Sequence, residues 1–186
     1  EVLDEKEMAA KGMNAILAVG QGSKNPPRMI TLKYNGAGDA PYTAFVGKGI
    51  TFDSGGISIK PGDNMGEMKD DMAGAGAVLG AVKAIAQMKL PCNIIAILSC
   101  AENMPGGNAQ RPGDVVKAAN GKTIEVVNTD AEGRMVLADA VWYACEQGAK
   151  RVIDIATLTG AVIIALGNET SGIITNTDEL AEAIKA

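Results

Sequence analysis

The segment Asn93-Ile94-Ile95-Ala96-Ile97-Leu98-Ser99 is apolar at five consecutive positions, with no polar residue interleaved. A strand with one face in water alternates polar and apolar side chains. A strand covered on both faces reads as a continuous β-branched run, the mark of a sheet held between two helical layers. Before it, residues 71–88 carry Val78, Leu79, Val82, Ile85 and Ala86 at helical spacing, and Gly74, Gly76 and Gly80 let that helix lie close to a sheet. After it, residues 123–128 read as a strand, 134–146 as a helix and 151–156 as a further buried strand. Helices alternating with buried strands predict an α/β fold: a three-layer α/β/α domain with a mixed, largely parallel central sheet.

The N-terminal part is less regular. Residues 1–13 are rich in helix formers, 15–19 form a short apolar run, and 20–27 form a loop with two prolines. Residues 29–34 alternate Ile30, Leu32 and Tyr34 with Thr31 and Lys33, a half-buried strand. A turn at 35–39 and a second strand at 42–46 predict a hairpin with a long loop. Residues 47–70 show no clean period, and a connection of that length in a compact domain is usually functional. Residues 102–112 read as a loop and 178–186 as a helix.

The chain has 186 residues, which suits one domain spanning residues 1–186. Its opening stretch reads as a helix already under way and its closing stretch, 178–186, as a helix without a stop signal, so a piece of a longer polypeptide is expected. The net charge of -5 and 3% aromatic content disfavour a nucleic-acid surface, which needs clustered cations and stacking rings. No apolar run approaches the roughly 18–20 residues of a membrane span. Three cysteines without a C-x-x-C pair fit a reducing, cytoplasmic compartment.

The histidine count is zero. Ser-His-Asp and Cys-His machinery are therefore excluded, as are His-rich zinc sites. Three polar clusters remain. Asn128-Thr129-Asp130-Ala131-Glu132-Gly133-Arg134 precedes a helix; in extended backbone Asp130, Glu132 and Arg134 would share one face. Two acids so placed repel unless a cation lies between them, although a polar turn capping the next helix is an equally good reading. Gly47-Lys48-Gly49-Ile50-Thr51-Phe52-Asp53-Ser54-Gly55-Gly56, continuing to Lys60, follows a strand, where α/β sheets commonly bind ligands. Lys69-Asp70-Asp71 stands at a helix start, where acids also serve as caps. If Asp53, Asp71, Asp130 and Glu132 converge, four negative charges share one cleft, and two divalent ions would balance them.

The heptapeptide NTDAEGR at 128–134, with VGKGITFDSGG at 46–56, Lys60 and Met68-Lys69-Asp70-Asp71-Met72, resembles the leucine aminopeptidase (cytosol aminopeptidase) family of dinuclear metallo-exopeptidases. The resemblance covers essentially the whole chain. It implies that Lys48, Asp53, Asp71 and Glu132 hold one metal and that Asp53, Asp130 and Glu132 hold the other, Asp53 and Glu132 bridging. A lysine amine as ligand must be uncharged, a role that composition and spacing do not suggest.

The same resemblance implies catalytic roles for Lys60, which would steady the developing oxyanion, and Arg134, which would hold a bicarbonate ion as proton shuttle. It points to Met68, Asn128, Leu158 and Gly160 as substrate-binding, with ordinary core packing the plainer reading of Met68 and Leu158. The implied reaction is removal of an N-terminal residue, preferably Leu or a similar apolar one, from peptides with a free N-terminus, by a water activated between two metals. Zn or Mn is the implied metal pair, with Mg or Co able to substitute. The family further implies a cytoplasmic homohexamer as the parent. It also implies a separate N-terminal domain and a C-terminal end of the catalytic domain that this chain does not contain. Two other readings stand beside it: a carboxylate-based two-metal phosphatase, and a DNA-binding accessory role of the parent.

Overall fold

The computed structural model describes residues 1–185. In chain order the elements are β1 (Val2–Leu3), α1 (Glu5–Ala10), α2 (Asn14–Gly20), β2 (Arg28–Asn35), β3 (Tyr42–Asp53), a 3-10 helix (Met65–Asp70), α3 (Ala73–Gln87), β4 (Asn93–Asn103), β5 (Val115–Lys117), β6 (Thr123–Glu125), α4 (Glu132–Glu146), β7 (Ala149–Ile155), α5 (Ala161–Leu166) and α6 (Asp178–Lys185). The main sheet has the order β1-β2-β4-β3-β7. Strands β4, β3 and β7 are mutually parallel, while β1 and β2 run antiparallel at one side.

The apolar run that opens the reading is β4, and its two faces go to two different cores. Ile95 and Ile97 pack with Ile16 and Val19 of α2 and Met135, Val136 and Ala140 of α4. Ile94, Ala96 and Leu98 pack with Ala75, Val78 and Val82 of α3. Burial on both faces removes the need for polar alternation. The predicted three-layer α/β/α fold, with a mixed sheet, is the observed one. Helix α3 approaches the sheet so closely that a Cβ on Gly74 would collide with the carbonyl oxygen of Ile155.

Several local expectations are corrected. Strands β2 and β3 do not form a hairpin: β4 lies between them, pairing antiparallel with β2 and parallel with β3. The reason is apolar matching, since the fully buried β4 takes the centre and β2 shields one flank. Residues 123–128 are not a buried strand; only Thr123–Glu125 is extended, in a small, largely exposed sheet with β5. Strand β3 continues from Tyr42 to Asp53, through part of the stretch expected to be irregular. Strand β7 exists but is half-exposed, being paired on one side only.

The expected N-terminal helix over 1–13 divides into β1 and α1, because Asp4 caps α1 through a reciprocal box with Glu7. The apolar run 15–19 is helical, within α2. Asp71 does not start α3; it closes the 3-10 helix, and α3 begins at Ala73. The C-terminal helix is present as Asp178–Lys185, with its expected last residue, 186, outside the described residues. Among the described residues, no helix is long and apolar enough to cross a membrane.

Candidate active site

The polar clusters meet at the C-terminal ends of the parallel strands. Lys48 and Asp53 both come from β3. They are five residues apart, so an unbroken strand would send them to opposite faces. The β3–β4 register shifts between Ile50 and Phe52, two residues of β3 opposing one step of β4. This bulge returns Asp53 to the side that Lys48 occupies. Asp53 stands opposite Asn103, the last residue of β4. Glu132 is the first residue of α4, where the helix dipole favours a carboxylate, and Asp130 lies in the preceding turn. The segment 130–134 is thus not extended; a turn followed by helix, the alternative reading of this segment, brings the two acids together.

Asp53, Asp130 and Glu132 each offer a carboxylate oxygen, and the three oxygens lie within 4.8 Å of one another. Asp71 joins through Lys48, whose Nζ lies 2.8 Å from Asp71 Oδ1 and 3.0 Å from Glu132 Oε1. Lys48 Nζ also donates to the Thr157 carbonyl at 2.9 Å, and Thr157 Oγ1 donates to Asp71 Oδ1 at 2.7 Å. On the other side, Lys60 Nζ lies 3.1 Å from Asp53 Oδ2 and 2.7 Å from Asp130 Oδ1. The side chains of Lys48, Asp53, Asp71 and Glu132 are nearly or fully buried, whereas Lys60 and Asp130 are partly exposed.

Four carboxylates in so small a volume strain one another electrostatically. Burial pushes Glu132 up to about 7, against the pull of Lys48, and Asp53 adds to the rise. Asp71 is raised by burial as well, with Lys48 and Thr157 opposing. Burial alone would lower Lys60, but the carboxylates of Asp130 and Asp53 hold it above its ordinary value, so it stays a cation. Among the described residues, buried Asp71 Oδ2 and Glu132 Oε2 have neither a hydrogen-bond nor an ion-pair partner, and buried Asp130 Oδ1 has only its ion pair with Lys60. Buried acceptors without donors are costly. Unpartnered acceptors on Asp71 and on Glu132, itself one of the three clustered carboxylates, are the ligand atoms a hard divalent cation satisfies.

The whole of this constellation falls inside one recognised sequence family: residues 1–186 match the cytosol aminopeptidase family, catalytic domain. The chain belongs to that family. Among its relatives are the probable cytosol aminopeptidase of Pseudomonas fluorescens strain SBW25, 58% identical over 186 residues that span 99% of this chain and 37% of the relative, and that of Rickettsia bellii strain RML369-C, 55% identical over 185 residues, 98% of this chain and 37% of the relative. Of solved structures, the bottromycin maturation enzyme BotP has a TM-score of 0.92 and 43% identity, over 100% of this chain and 39% of that one. The chain thus spans little more than a third of the length of these cytosol aminopeptidases.

The remaining predicted residues are distributed around the cluster. Arg134 lies exposed in the first turn of α4, two residues beyond Glu132, and forms no ion pair among the described residues. Asn128 is exposed, and its Oδ1 accepts from the Asp130 backbone N–H at 2.8 Å, shaping the turn that presents Asp130. Leu158 is near enough to Gly133 that a Cβ there would lie 3.1 Å from Leu158 Cδ1. Met68 is half-buried in the 3-10 helix, where its carbonyl accepts from the Asp71 backbone N–H at 3.4 Å, and Gly160 precedes α5.

Two residues that the sequence did not single out belong to the site. Thr157, the neighbour of Leu158, touches both Lys48 and Asp71. Asn103 falls in a stretch read as loop, yet its Nδ2 donates to Asp53 Oδ1 at 2.8 Å and to Thr129 O at 3.0 Å. The one available signal was a polar residue directly after an apolar strand, at the sheet end where ligands bind.

Proposed function

We propose that this chain carries the active site of a metal-dependent aminopeptidase that removes N-terminal residues, preferably Leu or a similar apolar one, from peptides. The observation that carries this reading is the convergence of Asp53, Asp130 and Glu132, with Glu132 Oε2 and Asp71 Oδ2 unpartnered, in a chain of the cytosol aminopeptidase family. Lys48, Asp53, Asp71 and Glu132 would hold one divalent ion and Asp53, Asp130 and Glu132 the other, Zn or Mn by preference and Mg or Co as substitutes. When bound, such ions supply Lewis acidity toward a peptide carbonyl and lower the pKa of water.

The protein's own groups do the rest. Asp71 would help hold the free α-amine of the substrate at the Lys48 side of the site, which makes a free N-terminus a requirement and the action exopeptidic. Lys60, kept protonated by its flanking acids, donates to the oxygen on which negative charge develops as the carbonyl is attacked. Arg134, exposed and without an ion pair among the described residues, would hold bicarbonate, which would supply a proton acceptor and donor in a site without histidine. Met68, Asn128, Leu158 and Gly160 line the path of the substrate's first residue and backbone, and a thioether at 68 suits Leu or Met side chains. The parent protein is a cytoplasmic homohexamer in this reading.

Elemental analysis and Leu-p-nitroanilide turnover on one sample test it. Two divalent ions per chain, with cleavage of Leu-p-nitroanilide and none of its N-acetylated form, are expected. Cleavage of p-nitrophenyl phosphate in place of the anilide would assign the site to phosphoryl transfer. Asp53→Ala should lose both ions; full occupancy in that variant would overturn the bridging role.

A further inference from the structure

We propose that Asn103 is a positioning residue: it occupies Asp53 Oδ1, commits Oδ2 as the oxygen offered to a cation, and ties the end of β3 that carries Asp53 to the turn that carries Asp130. The inference rests on the metal site proposed above and concerns how that site is held.

Asn103 closes β4 opposite Asp53 and is 1% exposed. Its side-chain nitrogen meets two groups that only accept, Asp53 Oδ1 at 2.8 Å and Thr129 O at 3.0 Å. That pairing fixes the amide orientation, since the side-chain oxygen would face both acceptors with nothing to donate. Gly55 N–H donates to the same Asp53 Oδ1 at 2.9 Å. Oδ1 therefore has two donors, and Oδ2 is left facing the cluster, 3.1 Å from Lys60 Nζ. The backbone of Asn103 reinforces the arrangement, its carbonyl accepting from Ser54 N at 3.0 Å and Ser54 Oγ at 2.8 Å.

Thr129 completes the tie. Its carbonyl takes the second N–H of Asn103, its Oγ1 donates to Gly55 O at 2.6 Å, and it accepts from Ser58 N–H at 2.8 Å. Asp130 is the next residue. One buried amide thus sets both the rotation of the Asp53 carboxylate and its separation from Asp130. Only asparagine has this shape with two hydrogens on one terminal atom; an aspartate would oppose acceptor to acceptor, and an alanine would free Asp53 to turn.

The test is Co2+ binding to the chelator-treated chain, read by visible d–d absorption for coordination and by competition with a chromophoric chelator for affinity. Far-UV circular dichroism monitors the fold. Asn103→Ala is expected to bind Co2+ about 10–100-fold more weakly, the usual cost of removing a group that orients a ligand, with a shifted visible band. Asn103→Asp, which keeps the packed volume, is expected to shift the band as well. Affinity within about twofold of the wild type and an unchanged band, in either folded variant, would overturn the positioning role. A wild-type chain with no Co2+ band would overturn the metal site itself, before any variant is compared.

Discussion

Lys48 reaches Glu132 only because residue 133 is glycine: a Cβ at Gly133 would lie 2.9 Å from Lys48 Cε and 3.0 Å from its Nζ. The 3.0 Å ion pair between Lys48 and Glu132 therefore joins β3 to α4 through space that any other side chain would fill. Gly133→Ala should destabilise the metal-free fold by about 2–4 kcal/mol, because disrupting a buried ion pair costs about 3–5 kcal/mol and alanine in the first turn of α4 returns only about 1 kcal/mol. It should displace the amine and weaken divalent-ion binding at least tenfold. Isothermal titration with Mn2+ reads the affinity; unchanged binding would show that Lys48 can yield without cost.

Lys60 stands apart from Lys48 in being partly exposed and paired with Asp53 and Asp130 alone. Lys60→Ala is expected to retain both ions by elemental analysis while kcat on Leu-p-nitroanilide falls about 10²–10³-fold, the scale for removing one donor to a developing oxyanion. Loss of metal in that variant would instead make Lys60 part of the metal-holding framework.

Burial holds Glu132 near 7 in the metal-free chain, above its ordinary 4.5, and raises Asp71 in the same sense. A raised folded-state value stabilises the fold while the group is protonated. That contribution is complete below pH 4.5 and is lost as pH rises through about 7. Metal-free chain should accordingly melt at a lower temperature at pH 8 than at pH 5. Divalent ions should reverse the trend, since they bind the deprotonated groups and release protons. Thermal melts with chelator and with Mn2+ across pH 5–8 compare the two directly; a metal-free melting temperature that climbs with pH would contradict the burial argument.

Asp139 is fully buried and outside the acid cluster. Its Oδ2 accepts from Ala15 and Ile16 backbone N–H at 2.9 and 3.0 Å, and its Oδ1 from Ala119 N–H at 2.9 Å. It joins α4 to the start of α2 and to the turn after β5. Asp139→Ala strands three donors and should cost about 3 kcal/mol or more by urea unfolding. A loss below about 1 kcal/mol would mean that water replaces the carboxylate there.

Much of this molecule was legible in its residues. The run from Ile94 to Leu98 required a strand covered on both faces, and α3 follows from the periodic apolar positions before it. The absence of histidine left carboxylates and lysines as the available polar chemistry. The resemblance of NTDAEGR and its companion segments to the cytosol aminopeptidases named the family that the whole-chain match then established. These features are local, and local pattern is what burial of one strand or one helix face imposes on a sequence.

What escaped the sequence depends on contacts between distant segments. Nothing in residues 29–46 says that β4 will separate β2 from β3, because strand order follows from which apolar faces match across the whole sheet. The bulge at Ile50–Phe52 that puts Lys48 and Asp53 on one side is invisible to a period-two reading. The turn that replaces an extended 130–134 segment arises because α4 begins at Glu132. Asn103 and Thr157 carry no motif; they acquire their roles only when the ends of β4 and β7 arrive beside Asp53 and Asp71. Side-chain type follows from sequence, but which polar atoms must share a buried volume, and hence which need partners, follows from the packing of the three layers.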